Sequence, residues 1–398
     1  MRIAAPLWAL SGAVCIVGVL SILSCRNTPP KSNEPYGKGL PYVSSAPTPN
    51  VREDTLRLDS VWAIPLRPIR KFALSANALR SPTAIRMIGR RLIVLQPTAT
   101  HGLFVIDPQV GRIIATGLPT TDAPRQYFGS IVEDPNDHKA VWVHDVYSQR
   151  LLHLRLASLA DVGAELEPDS TVALAFRGAL RTPWPVRSGF IASGFLDRGV
   201  LVKFAADGRP QRLLGGSAFD SLGLVDDVRH HLTVARIVAQ PSTQRIAMAY
   251  LSSPFLELRN SAAALQARWY VTLGTNAFTV PRPVRDGSGR LRFGADSTTR
   301  SMFLDIASSQ RFVYALYSGH RLITRPRDST AAAFRDASGA LGMFVVAMTW
   351  SGVVERVISI PEGASRIAVS HDDQYLYTAG LIRDSISEYR LAMLTNVH

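Results

Sequence analysis

Hydrophobic residues in this chain fall in short runs broken by polar turns, and one arrangement returns six times. An apolar strand leads into a turn of Pro, Asp, Asn, Ser or Gly, and a second apolar strand follows. The first instance is Ala84-Ile85-Arg86-Met87-Ile88-Gly89-Arg90-Arg91-Leu92-Ile93-Val94-Leu95, and the second runs from Ile131 through Asp134-Pro135-Asn136-Asp137 to Val141-Trp142-Val143. The third, Val186-Arg187-Ser188-Gly189-Phe190-Ile191-Ala192, is abbreviated. The fourth spans residues 237–249, the fifth 304–316 and the sixth 367–377. Their second strands begin near Leu92, Val141, Phe190, Ile246, Phe312 and Tyr375, at intervals of about 50 to the mid-sixties.

Further hairpins follow several of these pairs. Residues 102–107 lead through Pro108 to Gly111 into Arg112-Ile113-Ile114-Ala115. Residues 200–204 turn at Asp207-Gly208, and 343–348 turn at Ser351-Gly352. Glycine at each turn suits a backbone that needs positive φ. Four antiparallel strands per repeat define a blade, so the expected fold is all-β: a six-bladed β-propeller of four-stranded antiparallel blades. The sixth repeat lacks one strand. The stretch Asp54-Thr55-Leu56-Arg57-Leu58-Asp59-Ser60-Val61-Trp62-Ala63-Ile64 is a strand without a partner. Because an open sheet edge invites aggregation, this N-terminal strand is expected to close the last blade. Residues 260–268 are the best helical candidate, and the segment is short.

Three segments carry a family likeness: Tyr314-Ala315-Leu316-Tyr317-Ser318-Gly319, Phe344-Val345-Val346-Ala347-Met348-Thr349-Trp350-Ser351-Gly352, and Asp372-Asp373-Gln374-Tyr375-Leu376-Tyr377. With them the chain resembles the six-bladed TolB-like propeller lipoproteins of bacteria, over roughly residues 75 to 395. The family often carries Asp before the Trp-Ser-Gly turn, where this chain has Met348-Thr349. The resemblance implies a periplasmic or membrane-attached lipoprotein and no particular reaction.

The N-terminus fits that address. Arg2 precedes an uncharged apolar run over residues 7–23, which ends in Ile22-Leu23-Ser24-Cys25. This resembles a lipobox, which implies removal of residues 1–24 and diacylglyceryl attachment to Cys25, followed by N-acylation. An uncleaved membrane anchor is the alternative reading of so short a run. Residues 25–50, with Pro spaced among Ser, Thr and Gly, read as the lipidated cysteine and a flexible tether. Residues 51–398 are then the propeller. No aspartate follows Cys25, which favours the outer membrane, facing the periplasm.

Composition sharpens this picture. The chain has 398 residues, of which 46% are hydrophobic and 19% charged, which excludes a mostly disordered protein. The two cysteines, Cys15 and Cys25, are consumed by the signal and the lipid, so the mature monomer forms no disulfide. A formal charge of +13 raises nucleic-acid binding, yet the basic residues are scattered arginines without an aromatic-interleaved run, and no nucleic-acid partner is expected.

Motifs for catalysis, nucleotide cofactors or metals are absent from the sequence: it has no GxSxG, HExxH, Walker loop or GxGxxG. No cofactor is expected. Asp226-Asp227-Val228-Arg229-His230-His231 is the densest group of possible metal ligands. Adjacent histidines on a strand face opposite ways, so the group reads as loop decoration rather than a metal site. Asp107, Asp145, Asp207 and the pair Asp372-Asp373 sit where turn capping needs an acceptor. Candidate binding residues lie on loops entering the innermost strands: Arg125 and Tyr127, Arg181 and Trp184, Arg229, and Arg300. Tyr317 and His320 open a further long loop. Arginine clamps carboxylate or phosphate, and Tyr or Trp stacks on sugar or peptide; alternatively, these aromatics plug the channel or pack between blades.

These features favour a monomeric propeller held at a membrane through Cys25, binding an envelope polymer or envelope protein. The rival reading is a lyase or hydrolase acting in the channel on an envelope sugar or lactone. Acids or histidines facing the axis would favour the enzyme, and a channel walled by apolar residues and arginine would weaken it.

Overall fold

In the computed structural model the described residues are 37, 39–44, 51–73, 82–96, 101–119, 127–156, 162–176, 178–240, 242–274, 278–294, 299–320, 341–380 and 385–391. They form a six-bladed β-propeller. From the axis outward, blade 1 contains Ala84–Ile88, Arg91–Leu95, His101–Asp107 and Arg112–Pro119, and blade 2 contains Phe128–Asp134, Asp137–Asp145, Arg150–Arg155 and Ser170–Ala173. Blade 3 runs Leu180–Val186, Gly189–Gly194, Leu201–Phe204 and Pro210–Leu214. Blade 4 runs Ala235–Ala239, Ile246–Tyr250, Phe255–Arg259 and Leu265–Thr272. Blade 5 runs Phe303–Ser308, Phe312–Tyr317, Gly342–Thr349 and Val354–Ala364. Blade 6 has Arg366–Val369, Tyr375–Ala379 and Ser385–Arg390, with Arg70–Ala73 as its outermost strand. The inner strands touch in sequence around the ring, and that of blade 6 meets that of blade 1.

Both faces of a blade are buried against neighbours, which is why the inner strands read as mostly apolar runs with isolated polar interruptions. Blade 1 shows the division of labour. Ile93 and Leu95 join Phe128, Ile131 and Val141 in the cluster shared with blade 2. Leu92 and Val94, pointing the other way, join Tyr377, Ala379 and Ile386 in the cluster shared with blade 6. Equivalent apolar layers fill the other four interfaces.

An N-terminal strand closes the last blade, but it is Arg70–Ala73, paired antiparallel with Ser385–Arg390. Phe72 is buried there between blades 6 and 1, and Arg70 pairs with Glu388 at 2.7 Å. The stretch 54–64, expected to do this, instead contributes two extra edge strands. Arg52–Arg57 runs parallel to the outer strand of blade 4, and Ala63–Pro65 runs parallel to that of blade 5. Tyr42–Val43, within the expected tether, does the same on blade 3. The N-terminal segment is therefore a belt passing over blades 3, 4 and 5 before it closes blade 6. Its parallel pairing covers exposed outer edges, a recognised way to blunt them. Ala164–Leu166, lying between the third and fourth strands of blade 2, covers the edge of blade 1 likewise.

One local expectation fails for an identifiable reason. Residues 260–268 are a turn followed by the strand Leu265–Thr272, not a helix. The Asn260 side chain accepts the N–H groups of Ala262 and Ala264, imitating a helix cap, but Ala263 then takes φ +64° and the helix cannot start. The α-helix that does form among the described residues is α1, Asp226–Thr233, with Val228 and Leu232 buried against Phe219. Among the described residues no helix is long and apolar enough to cross a membrane.

The turns behave as their residues dictate. Asp107, Asp145 and Asp207 accept backbone N–H groups of Gln109, Tyr147 and Arg209. Asp372 accepts the Gln374 N–H, while Asp373 turns inward to take the Tyr314 hydroxyl at 2.9 Å and Arg311 Nε at 3.0 Å. At the Trp350-Ser351-Gly352 turn, Thr349 Oγ1 accepts the Val353 N–H where the resembling family carries Asp. Gly352 has φ +84°, and its carbonyl receives Trp269 Nε1–H of blade 4 at 3.1 Å. A Cβ on Gly352 would lie 2.8 Å from the Ala267 Cβ. Gly352→Ala is therefore expected to cost about 1–3 kcal/mol, read by urea unfolding. An unchanged midpoint would show that the blade 4–5 seam tolerates a side chain there.

Candidate functional site

The chain enters each blade at one end of the axis, and the first residues of the inner strands meet there. Three arginines and one aspartate converge from four blades. Arg86 is the third residue of the blade 1 inner strand and Asp305 the third of blade 5. Arg236 is the second of blade 4, and Arg366 begins blade 6. Each interrupts a run that is otherwise apolar, because the strand around it is packed between blades.

Asp305 is the hub, and its side chain is fully buried. Its Oδ2 accepts the Ile367 N–H of blade 6 at 3.0 Å and lies 3.4 Å from Arg86 Nη1. Oδ1 is 3.4 Å from Arg86 Nη2 and 3.8 Å from Arg236 Nε. Blades 1 and 5 are not neighbours, so the Arg86–Asp305 pair reaches past blade 6 across the end of the axis. Arg86 also donates to the carbonyls of Ile85 and Ile367. Arg366 donates to the carbonyls of Thr83 and Ser365, both at 2.5 Å.

Burial opposes ionisation of Asp305, yet Arg86, Arg236 and Arg366 hold its carboxyl below the ordinary aspartate value. Arg236 is pushed the other way: burial first, then the charge of Arg366, brings it down to about 9, with Asp305 offsetting only part. Its Nε has no hydrogen-bond partner, and neither does that of Arg86. The Ser130 hydroxyl, third in the blade 2 inner strand, is also unpartnered.

Tyr127 and Arg181 belong to this end of the ring. Tyr127 directly precedes the blade 2 inner strand, packs edge-on against Tyr147 at 5.9 Å and lies close enough to influence Arg236. Arg181 lies within the blade 3 inner strand rather than on a loop before it, since that strand starts at Leu180. Its charge reinforces burial in holding His144 down at about 3. Trp184, in the same strand, packs half-buried against the apolar layers around blade 4.

The remaining candidates make other contacts. Arg229 is buried on α1 and donates to the carbonyls of Leu196 and Asp197, fastening the helix to blade 3. Arg300 donates to the Gly319 carbonyl at 2.7 Å. Tyr317 ends a strand and is buried edge-on to Phe303, its hydroxyl donating to the Val271 carbonyl of blade 4. His320 is half-buried, and burial lowers its pKa. Arg125 and Cys25 lie outside the described residues.

His230 and His231 sit on α1, not on a strand. His231 stacks on Phe293 at 4.3 Å, and His230 stacks on Phe195 at 6.0 Å. Asp227 accepts the Phe293 N–H and lies 3.7 Å from Arg292. These residues pin the hairpin Pro283–Arg285 and Leu291–Phe293 to the helix. Among the described residues no three His, Cys, Asp or Glu side chains are grouped to hold a metal ion.

The chain is thus a six-bladed β-propeller with an arginine-rich end to its axis. No family model matches it, and no curated protein does. Among solved structures it is similar to the Cps50 (Swd1) β-propeller domain of Myceliophteria thermophila, with 11% identity and a TM-score of 0.43 over 82% of this chain and 100% of that chain. It is also similar to Raptor of Chaetomium thermophilum, with 8% identity and a TM-score of 0.45 over 81% of this chain. The match spans 28% of the Raptor chain.

Proposed function

We propose that this chain is a bacterial lipoprotein whose propeller is a binding module, with the arginine-rich axial end as its recognition face. The observation that carries this reading is the charge of that end: Arg86, Arg236 and Arg366 surround a single carboxylate. A channel hydrolase or lyase would need a group ready to take a proton near neutral pH. Asp305 is held ionised below the ordinary range by its arginines, and a weakly basic carboxylate is a poor general base. Recognition of an acidic group is the chemistry that buried arginines supply.

The lipobox at Ile22-Leu23-Ser24-Cys25 and the resemblance to TolB-like propeller lipoproteins support an anchor at Cys25 and an outer-membrane, periplasm-facing address. The belt covers the outer edges of blades 3, 4 and 5, which removes those edges as pairing sites for a second copy and supports a monomer. The partner is an envelope polymer or an envelope protein.

The test is retention of isolated peptidoglycan, envelope polysaccharide and envelope proteins by the full chain, alongside labelled fatty-acid incorporation. Saturable retention of one of these is expected, with label lost in Cys25→Ser. Retention of none would remove the binding reading, and label persisting in Cys25→Ser would remove the lipid anchor.

A further inference from the structure

The axial cluster carries more positive charge than it neutralises. Three arginines against Asp305 leave a surplus of two charges among buried groups. Burying charge without a partner is costly, and the downward displacement of Arg236 reflects that cost. The unpartnered atoms are donors as well. Nε of Arg86 and Nε of Arg236 are N–H groups without an acceptor, and the Ser130 hydroxyl at the matching position on blade 2 has no partner. The Arg86 side chain retains 9% of its exposure and that of Arg236 13%, so the cluster is almost closed but not sealed from solvent.

What completes such a site is a group with two negative charges and acceptors only. A phosphate monoester or a pair of carboxylates on one molecule meets both requirements; a hydroxyl, an amide or a cation meets neither. We propose that Arg86, Arg236 and Arg366 form an axial binding site for a doubly charged oxyanion, with Asp305 fixing the arginines in place. This rests on the binding-module reading and names the chemical class that its recognition face accepts.

Arg236 is the residue on which the site turns. Arg366 is anchored by two carbonyls and Arg86 by carbonyls and Asp305, whereas Arg236 makes no hydrogen bond through its Nε and has Asp305 only at 3.8 Å. Its guanidinium therefore contributes little to holding the ring and much to attracting an anion. Arg236→Met removes a buried charge and leaves a chain of similar volume, so the variant is expected to fold.

The experiment is thermal unfolding of the full chain in inorganic phosphate, malonate or acetate against chloride at matched ionic strength. Phosphate or malonate a hundredfold above Kd is expected to raise the melting midpoint by about 5 °C, and acetate by less. The shift should vanish in Arg236→Met and survive in part in Arg236→Lys, which keeps the charge without the planar fork. A larger phosphate shift points to a phosphate ester as ligand, and a larger malonate shift to a dicarboxylate. No shift beyond chloride, a shift equal for acetate, or one unchanged in Arg236→Met would overturn the proposal. If that happened while envelope material was still retained, the oxyanion site would fall and the binding-module reading would stand. Anion binding without envelope retention would do the reverse.

Discussion

Replacing Asp305 by asparagine is expected to destabilise the propeller by roughly 3–5 kcal/mol, the range for breaking a buried ion pair from one side. The shape is kept, and the asparagine oxygen can still accept the Ile367 N–H. What is lost is the only negative charge within reach of Arg86 and Arg236 at the axis among the described residues. Two pH effects accompany this. In the parent, the Asp305 carboxyl is held below its ordinary value by the arginines, so its contribution is in full force at neutral pH and is lost as the pH falls through the aspartate range. Arg236 acts with the same sign of slope, at the alkaline end. Its folded-state value, down to about 9, lies below that of the unfolded chain, so the folded protein gives up this proton first and stability rises with pH through that region. In Asp305→Asn that rise should begin at lower pH. Urea unfolding from about pH 2 to about pH 10 reads both effects; a variant as stable as the parent, with the same pH profile, would mean that the arginines are neutralised by other groups.

A second loss of similar size is expected for Glu257→Gln. Glu257 is buried in blade 4 and is saturated with donors. Oε2 accepts Tyr250 Oη–H at 2.7 Å and Arg259 Nε–H and Nη2–H at 2.9 and 2.6 Å, while Oε1 accepts Arg268 Nε–H at 2.8 Å. Arg268 continues to Glu53 of the belt at 2.7 Å, and Arg259 to the Gly216 carbonyl at the exit of blade 3. One carboxylate thus ties blade 4 to the belt and to its neighbour. Burial disfavours the charged form, but Arg259 and Arg268 outweigh it and keep the carboxyl below its ordinary value. Glutamine would leave Arg259 charged, buried and short of its counter-ion. A cost of about 3–5 kcal/mol is expected, visible as a lower unfolding midpoint in denaturant. A cost under about 1 kcal/mol, typical of an exposed pair, would mean that the network is solvated.

The fold was legible in the sequence because its strongest signals are local. The first two strands of a repeat, such as Ala84–Ile88 and Arg91–Leu95, present apolar side chains to both faces since each face meets another blade, and their turns carry Gly, Asp or Asn where the backbone needs them. The belt was not legible in detail. Residues 52–57 and 63–65 are half-exposed edge strands, and nothing in them specifies which outer edge, some two hundred residues away, they cover. The helix α1 escaped because its N-cap is Val225, which makes no side-chain cap, while Asn260 offered a cap to a segment that does not continue. The loop residues that sequence reading singled out are aromatic and basic, whereas the buried arginine cluster, proposed above as the recognition face, sits inside the first strand of four repeats. Its signal is a lone charge in an apolar run: Arg86 after Ala84-Ile85, Arg236 before Ile237-Val238, Asp305 before Ile306-Ala307, and Arg366 before Ile367-Ala368. Reading these four together requires knowing that the ring brings them to one point.

The claim that the arginine-rich end of the axis is the working face of this propeller is tested most directly by one comparison. Retention of envelope material would be measured for the full chain and for Arg236→Met side by side, with the melting midpoint of each recorded. The expected result is retention by the parent and an at least tenfold loss in the variant, which should melt no lower than the parent without ligand because a buried, poorly partnered charge has been removed. Equal retention by the two proteins would contradict it.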